Sequence, residues 1–152
     1  MKRTCLILML ILAGIWSCKV EKHEVFIEAE SFGKKGGWVV DPQFVFQMGS
    51  PYLLAHGLGK PVEDAVNEVN IPAPGKYHVW ARTMNWAPGE WDAPGRFRLT
   101  FDGKELFADL GTVDAWGWQY AGTIKVRDTV LTIGLHDRPL LGGNASSEIG
   151  GC

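Results

Sequence analysis

Two glutamates, Glu28 and Glu30, stand two residues apart in Phe26-Ile27-Glu28-Ala29-Glu30. On a strand such positions share a face, so the carboxylates project together, about 6–7 Å apart along the backbone. Like charges so placed repel unless a cation lies beside them. Calcium suits a pair of hard oxygen donors. Solvation, or pairing with Lys34 or Arg82, meets the same need. Acid–base catalysis requires an activated partner as well, and the sequence places none nearby.

Aromatic residues form the second group. Trp86 and Trp91 bracket the loop Ala87-Pro88-Gly89-Glu90, and Trp116 and Trp118 stand close together further on. Sugar rings present apolar C–H faces to flat aromatic rings, while a few placed polar groups bond their hydroxyls. Asn85 and Asp92 flank the first loop, which makes Trp86, Trp91, Trp116, Asn85 and Asp92 the candidate carbohydrate contacts. Packing within the loop explains Trp86 and Trp91 equally well. Trp118 falls in phase with Tyr120, Ile124 and Val126, which assigns it to the core.

Other chemistries find no motif. His23, His56, His78 and His136 are scattered, without HExxH spacing or a zinc-type cluster. Ser50 in Met48-Gly49-Ser50-Pro51 lacks the second glycine of a nucleophile elbow. Gly57-Leu58-Gly59 is the nearest approach to a dinucleotide fingerprint, and Val62 stands where its third glycine belongs, so no FAD site is expected. The formal net charge of −2 excludes a phosphate-binding surface of the nucleic-acid kind.

The chain opens on Met1-Lys2-Arg3 and an uncharged apolar run, Leu6 to Trp16. A basic start before an apolar stretch too short to span a bilayer is the pattern of an export signal. Ser17-Cys18 then resembles a lipobox, so residues 1–18 are expected to be a lipoprotein signal, with Cys18 lipidated and residues 19–23 a polar tether. Among the three cysteines Cys152 is then left alone, and no disulfide framework arises.

Beyond the tether the hydrophobic period is 2. Val25, Ile27 and Ala29 alternate with polar or outward positions, as do Phe97, Leu99 and Phe101, the run Trp118 to Val126, and Leu131, Ile133 and Leu135. Half-buried antiparallel strands require this pattern. Asp102-Gly103 is a two-residue hairpin signal, and Pro72-Ala73-Pro74-Gly75 ends one strand before the next begins at Lys76. The expectation is an all-β antiparallel sandwich over residues 24–137. Residues 138–152 show no alternation; they read as an irregular tail, with the last strand of the sandwich missing and an edge left open. A fragment or a frameshifted end accounts for this, as does a natural disordered terminus.

Three stretches carry a resemblance: Phe26-Ile27-Glu28-Ala29-Glu30-Ser31-Phe32, then Gly37-Trp38 with Met48-Gly49-Ser50-Pro51-Tyr52-Leu53, and Val69 to Arg82 through the Pro74-Gly75 turn. Together they resemble the galactose-binding-like jelly roll of carbohydrate-binding modules of families 6 and 35. Gly36-Gly37-Trp38-Val39-Val40-Asp41 and the Trp86–Trp91 loop are similar to the N-terminal modules of secreted Bacteroides-type FAD-dependent oxidoreductases. The resemblance implies a glycan as partner, a structural calcium at the Glu28/Glu30 strand joined by an aspartate of the final strand, and a following enzyme domain that this chain lacks. It also implies an alternative, a structural domain of such an oxidoreductase with no sugar binding of its own.

Overall fold

The computed structural model describes residues 21–57, 60–86 and 95–138. They form eight strands in chain order: β1 (Trp38–Asp41), β2 (Tyr52–Ala55), β3 (Ala65–Asn70), β4 (Gly75–Thr83), β5 (Phe97–Phe101), β6 (Lys104–Glu105), β7 (Gly117–Val126) and β8 (Val130–Asp137). A 3-10 turn at Ala29–Ser31 and one four-residue helix, α1 (Val45–Met48), are the helical elements among the described residues. The fold is all-β, and every ladder between these strands is antiparallel.

The order β3-β8-β5-β6 makes a four-stranded sheet, with β4-β7 and β1-β2 as two-stranded ribbons. The first two layers face one another across the core. Leu99, Phe101, Leu131, Ile133 and Leu135 come from the large sheet, and Ala121 and Val126 from β7. Tyr77, Val79, Ala81 and Ile124 pack against the same cluster. The expected sandwich architecture holds in these two layers.

Local chemistry explains the turns. Asp102 and Gly103 sit at φ 48° and 74° and join β5 to β6, as a two-residue turn with positive φ at both positions requires. Asp102 also accepts a bond from the backbone N–H of Thr132 at 3.0 Å, which fastens the turn to β8.

Two expectations are corrected. Residues 25–30 alternate in sequence but form no ladder; the chain runs extended to Glu28 and then coils into the 3-10 turn. Alternation gives a strand only where a neighbouring strand offers its edge, and no described strand lies in register with this segment.

The second correction concerns β7. The register passes from Trp80↔Tyr120 to Val79↔Gly122, so Ala121 is an extra residue in a bulge. A bulge reverses which parity faces the core. Ile124 and Val126 point inward after it, but Gln119 and Ala121 do so before it, and Gln119 Oε1 accepts a bond from the backbone N–H of Gly111. Trp118 and Tyr120 are therefore turned to solvent, Trp118 being 56% exposed. The core position read from unbroken alternation is wrong for Trp118.

Candidate functional site

Two of the aromatic candidates, Trp86 and Trp116, line one recess where β1-β2, the residues after β4 and the residues before β7 converge. Asp41 and Tyr52 are register partners on β1 and β2. The buried Tyr52 hydroxyl donates to Asp41 Oδ2 at 2.7 Å. The Trp86 side chain lies beside the same phenol and works to lower its pKa. Burial, followed by the bond to Asp41, raises the Tyr52 pKa to about 12, so the phenol is a neutral donor at any physiological pH.

Trp86 leaves this base half in solvent, 40% exposed, with the exposed His56 ring edge-on at 6.3 Å. Beneath it, Trp116 packs edge to face against Tyr52 at 4.9 Å and Phe44 at 6.0 Å. Trp116 is partly buried and packs into the base of the site. Its Nε1 is buried without a hydrogen-bond partner.

Asn85 is buried. Its side-chain amide donates to Asp114 Oδ1 at 3.1 Å, and its backbone N–H donates to Val113 O. It ties the residues after β4, which carry Trp86, to the segment that carries Trp116. Trp91, Asp92 and Cys18 lie outside the described residues. The structure thus brings Trp86, Trp116 and Asn85 together. The sequence alone did not single out Tyr52, Asp41 and His56 as site residues, which join them through contacts between distant segments; the local hints were Tyr52 within the Met48–Leu53 stretch and Asp41 within the Gly36–Asp41 stretch.

Glu28 and Glu30 do not make a matched pair. Glu28 precedes the 3-10 turn at φ −90°, ψ 114°, and Glu30 lies within it, so the i, i+2 geometry of a strand is lost. No group of three or more His, Cys, Asp or Glu able to hold a metal occurs among the described residues.

A second aromatic group lies on the outer face of β4-β7. Trp80 and Tyr120 rings are 5.0 Å apart, His78 stands 6.1 Å from Tyr120, and Phe26 meets Trp118 edge-on at 6.4 Å. The Tyr120 hydroxyl bonds Thr123 at 2.8 Å and His78 at 3.1 Å.

No family model matches the chain, and neither the curated proteins nor the solved structures contain a match to it.

Proposed function

We propose that this chain is a non-catalytic glycan-binding accessory module, of the galactose-binding-like jelly-roll kind, on an exported protein held at the cell envelope by lipid on Cys18. The observation that carries the reading is Trp86: a half-exposed indole held between the Tyr52 phenol and an exposed imidazole, in the same recess as Trp116. A ring that is already held loses little freedom when a sugar stacks on it. Asp41 and His56 supply polar groups beside the ring. Modules of this kind act by proximity, raising the local concentration of an attached enzyme at its substrate.

Isothermal titration of the full chain against oligosaccharides chosen by glycan array tests this. Saturable binding that Trp86→Ala abolishes, with the circular dichroism unchanged, is the expected result. A folded chain that binds no glycan overturns it.

One observation favours a second reading, a structural domain that packs against an oxidoreductase domain. The solvent-facing aromatics Trp80, Trp118 and Tyr120 give β4-β7 an apolar outer surface, and such patches mark interaction surfaces. Under that reading Trp80→Ser and Trp118→Ser impair association with the enzyme domain, while Trp86→Ala has no effect on it.

A further inference from the structure

β4 has one ladder partner, β7, and its other edge is unpaired among the described residues. A groove opens along that edge, as part of a continuous space of about 1260 Å³ that also reaches Tyr52, Trp86 and Trp116. Its lining includes both the core-facing Tyr77, Val79 and Ala81 and the solvent-facing His78, Trp80 and Arg82. A space touched by both faces of one strand wraps around that strand's edge. Its inner wall is the apolar core of the large sheet, with Leu99, Ile133 and Leu135 among the lining residues. Its far wall is the extended segment from Glu21 to Glu28, which itself lies in no ladder.

We infer that this groove is an acceptor slot for an added β-strand, supplied by a partner polypeptide with apolar residues at alternate positions and acidic residues between them. Two features fix this occupant. An apolar ligand would fill the inner wall but leave the row of N–H and C=O groups on β4 without partners; a strand satisfies both at once. β4 is nine residues long, so the edge extends roughly 30 Å at about 3.3 Å per residue.

Charge sets the outer face. Lys76 stands directly opposite Lys125 on β7, and neither has an ion-pair partner among the described residues. Like charges directly opposite across a ladder destabilise it. A carboxylate on the adjacent added strand, beside Lys76, relieves that repulsion.

The test uses the full chain in detergent and a ten-residue probe peptide, Thr-Val-Glu-Val-Thr-Val-Glu-Val-Thr-Val. A control peptide of the same composition has its valines grouped. Amide hydrogen exchange over residues 75–83 is read by mass spectrometry, with light scattering for oligomeric state. The alternating peptide slows exchange on β4 at least tenfold, and the control does not. Lys76→Glu weakens the effect about tenfold, and a peptide with Lys in place of Glu restores it. Equal exchange with and without the alternating peptide overturns the inference. So does full protection of β4 in the free chain, whether monomeric, with the chain filling its own slot, or dimeric, with two β4 edges paired. Glycan binding by a chain whose β4 exchange the alternating peptide does not slow, or slowed exchange in a chain that binds no glycan, separates this result from the glycan reading.

Discussion

Tyr52 donates its phenolic proton to Asp41, its register partner on the neighbouring strand, across 2.7 Å. The bond ties β1 to β2 under Trp86 and leaves the phenol far less acidic than in water. Burial and the bond together put its pKa at about 12 against an ordinary 10.0. A folded pKa above the unfolded one means that the contribution to stability is fully present below pH 10 and is lost between 10 and about 12. Spectrophotometric titration of the phenolate checks this. Asp41→Asn moves the Tyr52 transition toward 10, and Tyr52→Phe costs about 1 kcal/mol of stability in urea unfolding, the value of a typical lost bond.

Two carboxylates give opposite slopes of stability against pH. Burial raises Asp137 above its ordinary value, against a smaller opposing effect of the Val62 N–H, which bonds Oδ2 at 3.0 Å. The folded state then holds the proton more firmly, so this group makes stability fall as pH rises upward from about 3.8. Asp137→Asn keeps an acceptor for Val62 and removes that slope. Asp109 is lowered, chiefly by the Arg98 guanidinium that bonds Oδ1 at 2.6 Å. Its contribution is present above 3.8 and disappears below it as the pH falls through the lowered folded value. Asp109→Asn therefore flattens the acid limb alone. Unfolding midpoints from pH 2 to 7 distinguish the two variants.

Trp118 offers a direct test of the bulge. A core tryptophan truncated to a small residue costs about 3–5 kcal/mol. Turned to solvent by Ala121, Trp118→Ser changes stability by no more than about 0.5 kcal/mol. Ile133→Ala, in the core between the layers, costs about 2–5 kcal/mol in the same chemical-denaturation assay.

The hairpin and the first loop separate backbone strain from crowding. An added Cβ at Gly103 meets nothing within 4 Å, so Gly103→Ala at φ 74° costs only the conformational term, about 1–2 kcal/mol. Gly36 sits at φ 54°, and there the Cβ collides with the backbone carbonyls of Glu63 and Asp64. Gly36→Ala is therefore the more destabilising of the two, as thermal unfolding of the pair will show.

What the sequence made legible was whatever depends on near neighbours. β5, β7 and β8 follow from alternation, β4 from the Pro72–Gly75 turn that opens it, and Asp102-Gly103 from turn chemistry that two residues decide alone. What stayed hidden depends on distant partners. Residues 25–30 have the pattern of a strand but no described edge to pair with. The bulge at Ala121 leaves no mark in composition, because Trp118 and Tyr120 suit a core as well as a surface. β1 and β2 are four residues each, too short for alternation to show. At the site, Trp86, Trp116 and Asn85 were visible as residues worth watching. Their places as exposed ring, packed base and tie came only from Tyr52 and Asp114, which lie 34 and 29 positions away from Trp86 and Asn85 respectively.

The bulge in β7 divides one strand into two regions with separate freedoms. Past it, Ile124 and Val126 answer to the core and admit few replacements. Residues 118 and 120 face outward on the same rigid support, so their identities are uncoupled from folding. Such a strand is a natural display surface: side chains at Trp118 and Tyr120, with Trp80 beside them, can be exchanged for a new recognition patch without repacking the interior. A library confined to these three positions would keep the fold while its members explored different binding specificities.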